Sequence, residues 1–527
     1  MKRKFRLQVV SLSSSLVGLS CVAGSAPLTV EDLKAPVGVS CKVVTEVPCM
    51  GAAWKLRDAE GREFSGFGSQ RHAGQGFVFR VPDAAVGESE FSARMEDGEG
   101  HAWVTDGKLS EWVTVKVACR EKGVATKVGT GCGGDDATPV IKQGALRGWI
   151  RGDRTEFAVG EKAFFCFCVP TNAAKVVLHR FGDDLTDERY VVDAVTEKGL
   201  VLESKMDKPG VLSVELTCDK GAMTLSAVVG LDDIRGVMSG RPADFDEFWA
   251  GLRAQAQAAV VGAKVESWQK RKDGFTVTIP CGAKMPMTAG YSVPVDAAPK
   301  SCTACLSFPG YNATQSAGVP PAMKGKILLD FNPHGTPIGR DYAFYENFAV
   351  TNRIQNYGFE RNLNENRETS YFHDMALRLL TALEFVKTLP QWNGRIEVSG
   401  GSQGGYLSLL AAALDPSVKK VDAMMPWLCD FDSDRNGYRG GWHPYYTDAM
   451  AYYFPLYHVR NIRAEEVSLT AGLADTTCTP YGIIALYNAL ACPKSLQLFQ
   501  AAWHCGPSRN VRLDVRRSSL PDKSDRN

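Results

Sequence analysis

An excess of charge of one sign is absent from this chain: 60 Lys and Arg stand against 59 Asp and Glu, a net +1 over 527 residues. With no overall field, nothing in the composition favours a nucleic acid or an acidic membrane as partner. Long apolar runs are absent as well. Beyond residue 26 no stretch approaches the roughly 18 uninterrupted apolar residues that a spanning helix needs. No repeat of fixed period recurs, which argues against solenoids and propellers. What is present is globular composition, 44% hydrophobic and 23% charged, over a length that suggests about three domains.

The first residues differ from the rest. A basic Met1-Lys-Arg-Lys-Phe-Arg6, an interrupted apolar stretch over 7–23 and the small residues Gly24, Ser25 and Ala26 read as a signal peptide spanning 1–25. Serines at 11 and 13–15 suit a membrane anchor poorly. Cys21 after Gly18-Leu19-Ser20 approximates a lipobox only loosely, so lipoprotein anchoring is the lesser reading. The expectation is an exported protein, secreted or periplasmic.

Of 15 cysteines, one lies in that leader; the even remainder, in an exported chain, permits disulfides. Cys302-x-x-Cys305 and Cys166-x-Cys168 superficially resemble metal or redox motifs, but neither is joined by a second pair at zinc-finger spacing. Structural cysteines and no metal are expected.

From 26 to 120 short β-rich runs, such as 76–81 and 111–117, are separated by Gly, Asp and Pro turns. Residues 121–138, rich in Gly, Thr and Asp, read as a linker, and a second β-rich block follows over 139–235, with runs at 161–170, 175–181 and 210–217. The spacing suits two β-sandwich (Ig-like) modules. They read more readily as spacers or oligomer contacts than as carbohydrate-binding units. After 236 apolar strand runs at 302–308, 327–331, 395–399, 421–427, 467–473 and 495–500 alternate with helical patterns, including 374–389. That alternation argues for an α/β domain over 236–507 with a parallel sheet covered on both faces. Residues 508–527 read as a frayed polar tail.

The chemistry concentrates in Arg395-Ile-Glu-Val-Ser-Gly-Gly-Ser-Gln-Gly-Gly-Tyr406. A strand, a Gly-Gly-Ser-Gln-Gly turn and an Ala/Leu-rich helix make the G-x-S-x-G nucleophile elbow in its required context, with Ser402 Oγ at the carboxyl edge of the sheet. A serine nucleophile needs a base, and the base an orienting acid, in the chain order Ser, Asp or Glu, His. Histidine is scarce: of eight in the chain, His443, His458 and His504 follow Ser402. His504 lies in a loop after the run 495–500, while the other two sit in a Tyr-rich insertion, so His504 is the expected base. Asp475, directly after the run 467–473, is the expected acid, with Asp430, Asp432 and Asp434 in reserve. An oxyanion hole needs two backbone N–H groups. Gln403, after the nucleophile, supplies one; Tyr311, in Phe308-Pro-Gly-Tyr-Asn312 where Gly310 permits a turn, supplies the other. No cofactor is required by such a site.

Taken in order, Asp244-Phe-Asp-Glu-Phe-Trp249, Pro309-Gly-Tyr-Asn312, Gly400-Gly-Ser-Gln-Gly-Gly405, Leu414-Asp-Pro416, Pro426-Trp-Leu-Cys-Asp430, Gly472-Leu-Ala-Asp-Thr-Thr-Cys478 and Tyr487-Asn-Ala-Leu-Ala-Cys-Pro-Lys494 resemble the acetyl xylan esterase / cephalosporin-C deacetylase family of carbohydrate esterases. The resemblance covers about 240–506. It implies an α/β-hydrolase with the serine, aspartate and histidine as a triad and the amides of Tyr311 and Gln403 as oxyanion donors. It further implies a metal-free removal of acetyl groups from xylan fragments and other small acetylated compounds, often by a homo-oligomer. Two departures stand out. The Arg-Gly-Gln motif of better-known members is missing, with Phe331-Asn-Pro-His-Gly-Thr-Pro337 in its place, and two β-modules precede the hydrolase.

The leading expectation is an exported serine esterase acting on acetylated polysaccharide or oligosaccharide. The alternatives are a peptidase or another carboxylic ester hydrolase on the same fold, or a carbohydrate-binding scaffold with a dead hydrolase domain.

Overall fold

A computed structural model describes residues 141–504 apart from 193–194, 237–239, 315–316, 430, 432, 434–435 and 445; outside that span it describes 8–10, 34–36, 40–44, 51–69, 76–80, 87–96, 104–105, 108–109, 112–120, 127–130 and 513–518. Of the segment read as a signal peptide, only Gln8–Val10 falls within them.

The C-terminal half is built on a ten-stranded mixed sheet. Its strands lie in the order Lys264–Ser267, Gly274–Ile279, Met287–Ser292, Lys326–Asn332, Cys302–Phe308, Trp392–Gly401, Val418–Met424, Glu466–Gly472, Lys494–Phe499 and Leu513–Ser518. Pairing is parallel from Lys326–Asn332 through Lys494–Phe499 and antiparallel toward both edges. The parallel strands carry apolar residues in alternation, and helices cover them. Tyr371–Thr388 starts where Ser370 Oγ accepts the Phe372 N–H at 3.3 Å and stops before Pro390. Leu377, Leu379, Leu380 and Leu383 on this helix are buried, each worth about 1.5–3 kcal/mol relative to exposure. Gln403–Leu414 is buried along its whole length, and Pro416 prevents its continuation. Asp244 pairs with Arg367 at 2.5 Å, and Phe245, Phe248 and Trp249 of the helix Phe245–Ala259 pack on Tyr452 or Tyr453. That motif docks a helix.

Cys302 is buried and Cys305, three residues along the same strand, lies on the opposite face within 3.5 Å of Glu397 Oε2. Sulfurs on opposite faces of a strand cannot clamp one metal ion. Cys166 and Cys168 share a face with Trp149 and Val201.

Ahead of the large sheet lie smaller, mostly antiparallel sheets. Within 127–229 two five-stranded sheets, one containing Ala163–Cys168 and Leu200–Ser204, the other Val176–Gly182, Gly210–Cys218 and Gly221–Val229, bury a common core that includes Phe165, Leu202, Leu178, Val214 and Leu225. Val211, Val228 and Leu231 of this second β-unit belong instead to the core of the large-sheet domain.

Two boundaries need correcting. Lys127–Thr130, inside the stretch read as a linker, pairs with Leu200–Ser204 as an edge strand. Leu513–Ser518, inside the presumed frayed tail, forms the edge strand beside Lys494–Phe499. Arg516 of that strand pairs with Glu156 and Asp232 of the second β-unit. Arg516 thus places a paired charge on this sheet edge.

Candidate active site

The strand Trp392–Gly401 turns into the helix Gln403–Leu414 at Ser402, whose φ is 57° and ψ is −118°. A serine pays of order 1–3 kcal/mol for such a conformation, so its surroundings must enforce it. They do so through the backbone. Ser402 N–H donates to Met424 O at 2.9 Å, and Ser402 O accepts from Trp427 N at 2.9 Å and Tyr406 N at 3.0 Å. The flanking glycines are steric necessities: a Cβ at Gly404 would lie 2.1 Å from Phe308 O, and one at Gly400 would lie 2.6 Å from the same atom.

His504 Nε2 lies 3.0 Å from Ser402 Oγ, and its Nδ1 lies 2.9 Å from Asp475 Oδ2. Asp475 is buried, and its other oxygen accepts the N–H groups of Thr477 at 2.8 Å and Cys478 at 3.0 Å. The carboxylate is therefore held on both sides, and the imidazole is held at both nitrogens. Acid and base loops also pack backbone to backbone, with Ala474 N–H donating to Ala502 O at 3.0 Å. Asp430, Asp432 and Asp434 lie outside the described residues.

The segments carrying Tyr311 and Gln403 are joined by a residue that no sequence motif marks. Tyr357 Oη accepts the Asn312 N–H at 3.1 Å and donates to Gln403 Oε1 at 2.8 Å, while its ring stacks on Tyr311 at 4.2 Å. On the other side of the same loop, buried His334 has Nε2 2.8 Å from Asn312 O and Nδ1 2.6 Å from Tyr371 Oη. Burial pushes the His334 pKa down to about 4, so the neutral ring donates to the carbonyl and accepts from the tyrosine. His334 belongs to the Asn-Pro-His-Gly-Thr segment noted as a departure. Arg378, fully buried on the helix Tyr371–Thr388 that also carries Tyr371, donates from Nε to Pro333 O at 2.8 Å and holds that segment from behind. Gly310 does not work as expected: its φ is not positive, and among the described residues a Cβ there would meet only Gly401 O, at 3.7 Å. The turn tolerates glycine without requiring it.

Asp475, Cys478 and His504 bring potential ligand atoms within 4.8 Å of one another. Both imidazole nitrogens are already engaged there, so a metal ion would have to displace Ser402 or Asp475. His443 and His458 are buried and remote in role: His443 Nδ1 bonds Pro444 O at 2.9 Å, and His458 Nε2 bonds Tyr452 O at 3.1 Å.

Residues 227–512, just over half of the chain, match the acetyl xylan esterase (AXE1) family. The chain belongs to that family. It is accordingly an acetyl xylan esterase-like carboxylic ester hydrolase with an α/β-hydrolase domain. Among relatives, acetyl esterase Axe7A of Xylanibacter ruminicola is 26% identical over 372 residues, which cover 64% of this chain and 81% of that one. Among solved structures, acetyl xylan esterase from Paenibacillus sp. R4 aligns with a TM-score of 0.43 at 23% identity, over 52% of this chain and 93% of that one. Acetyl xylan esterase 1 from Thermoanaerobacterium sp. JW/SL YS485 aligns with a TM-score of 0.42 at 20% identity, over 53% and 93%.

Proposed function

We propose that the chain is an exported serine esterase that removes acetyl groups from xylan-type polysaccharide or oligosaccharide through an acyl-enzyme. The observation that carries this reading is the unbroken line of contacts Asp475–His504–Ser402, at 2.9 and 3.0 Å, ending on a serine held at φ 57°.

In this reading Ser402 Oγ attacks the acetyl carbonyl carbon as His504 Nε2 takes its proton. Asp475 keeps the second ring proton on Nδ1 and stabilises the imidazolium. The backbone N–H groups of Tyr311 and Gln403 receive the oxyanion. Collapse breaks the ester bond, and His504 returns its proton to the departing sugar oxygen. Water, deprotonated by the same imidazole, then hydrolyses the acetyl-serine and releases acetate. Family membership supports an acetylated carbohydrate as the substrate. So does Trp503, directly before His504 and 49% exposed, because a flat aromatic beside the base suits a sugar ring. Around this centre we assign a signal peptide at 1–25 and two β-sandwich, Ig-like modules before the hydrolase.

The test measures acetate release from acetylated xylan and 4-nitrophenyl acetate, beside longer acyl esters and a peptide. Ser402→Ala is expected to lose on the order of 10⁶ in kcat while keeping its circular dichroism. Near-wild-type turnover in that variant would remove Ser402 from the mechanism. Trp503→Ala should raise KM for acetylated xylan a few-fold, on the order of 1 kcal/mol of stacking, and leave 4-nitrophenyl acetate unaffected. An equal effect on both substrates would take the sugar away from Trp503.

A further inference from the structure

The loops that carry Asp475 and His504 are fastened to a residue more than two hundred positions earlier. Gln500, buried at the end of the strand Lys494–Phe499 and four residues before His504, points its amide at Ser226. Its Oε1 accepts the Ser226 N–H at 2.7 Å, and its Nε2 donates to Ser226 O at 2.7 Å. The Ser226 hydroxyl donates to Leu473 O at 3.0 Å, two residues before Asp475, and lies 2.8 Å from Ser213 Oγ. Ser226 therefore holds the base loop through its backbone and the acid loop through its side chain.

The strand edge explains why Ser226 is available. Gly221–Val229 pairs on one side with Gly210–Cys218, while on the other the short strand Glu156–Phe157 reaches only Val228 and Val229. The Gln500 amide satisfies the next donor and acceptor on that edge much as another strand would. Unmade, both groups would be buried without partners. The same β-unit grips a third loop: Lys208 Nζ donates to Gly437 O at 2.6 Å, and Arg439 lies 4.2 Å over the Phe181 ring. Three residues on, the Trp442 ring packs 4.8 Å from Tyr311.

We propose that the second β-unit is part of the hydrolytic machinery, with Gln500 and Ser226 as positioning residues that set the distance between His504 and Asp475. This rests on the triad reading above. Reacting groups displaced by about 1 Å can cost 10²-fold in rate, and two 2.7 Å bonds at a loop base resist such a displacement.

The experiment compares Gln500→Ala, Gln500→Glu and Ser226→Ala on 4-nitrophenyl acetate, well below each variant's unfolding midpoint. Gln500→Ala should lower kcat on the order of 10² with KM changed by less than about twofold, because substrate contacts are intact. Gln500→Glu keeps the acceptor and loses the donor, so its kcat should fall between wild type and Gln500→Ala. Ser226→Ala, which loses the hydroxyl contacts to Leu473 O and Ser213 Oγ but keeps both backbone bonds to Gln500, should lose several-fold. A Gln500→Ala variant with wild-type kcat and only a lower midpoint would reduce the contact to scaffolding and overturn the proposal. If that variant does not fold, the same comparison in Gln500→Glu and Ser226→Ala decides. Ser402→Ala run in parallel separates the two levels: an active Ser402→Ala overturns the triad reading and this proposal with it. An inactive Ser402→Ala beside full activity in the other variants overturns this proposal alone.

Discussion

The elbow that presents Ser402 and the pair of loops that present Asp475 and His504 meet at 3.0 Å but are built in opposite ways. The elbow is a local device. Its strand, glycines, serine and helix are contiguous, and its closest packing partner is the Phe308 carbonyl of the adjacent strand. The acid and base loops have no such local code. Apart from Gly472, where a Cβ would lie 2.6 Å from Ala502 O, they are steered by Gln500, Leu473 and a serine in another β-unit. A strained nucleophile can be specified by neighbours in sequence because the strain is in its own φ and ψ. A relative placement of two loops can be specified only by what lies between and behind them.

Breaking the acid while sparing the elbow gives the largest effect after loss of Ser402 or His504. Asp475→Asn retains an acceptor for the Thr477 and Cys478 amides yet removes the charge, and kcat is expected to fall on the order of 10⁴. His504→Ala combined with Asp475→Ala should be little worse than His504→Ala alone, since the groups act as a unit. Losses that add in full would separate the two residues.

Glycine substitutions compare the two regions through stability. Gly404→Ala drives a Cβ against the Phe308 carbonyl and Gly472→Ala against the Ala502 carbonyl, backbone atoms that cannot rotate away. Each should cost about 1–3 kcal/mol or more in chemical denaturation. The control is Gly251→Ala, in an exposed helical position where a Cβ meets nothing within 4 Å among the described residues, which should stabilise by about 0.5–1 kcal/mol.

A last effect is read against pH. Burial lowers the pKa of His334 to about 4 and that of His458 to about 3. Below the ordinary histidine value of about 6.5 the unfolded chain takes up protons that these two folded rings refuse, so stability is lost as pH falls toward 4. Each ring should contribute about 1.4 kcal/mol per pH unit in that window, and His334→Gln should remove one proton's worth of the slope. A slope unchanged in that variant would mean that the folded ring binds its proton as readily as the unfolded chain does.

Much of the large sheet is legible in the chain. The apolar run at 302–308 coincides with the strand Cys302–Phe308, and 467–473 is displaced by one residue from Glu466–Gly472. Met287–Ser292 escapes notice although all six of its residues are buried, because Thr288, Gly290 and Ser292 resemble a loop. Gly290 is there because the Gly318 carbonyl crosses it, 1.9 Å from where a Cβ would stand. The edge strand Leu513–Ser518 shows only a short alternation of Leu513 and Val515 among charges. Tyr357, His334, Ser226 and Gln500 carry no motif, since each acts through contacts with residues distant in the chain.

By itself the sequence determined the elbow, the alternation of strands and helices and the chain order of serine, aspartate and histidine, because each depends on residues a few positions apart. Only the tertiary structure decided that His504 closes to 3.0 Å on Ser402, that Tyr357 ties the Tyr311 loop to Gln403, and that a preceding β-unit braces the acid and base loops. Those outcomes depend on hydrogen bonds between segments up to 274 residues apart, whose geometry exists only once the sheet has brought their ends together.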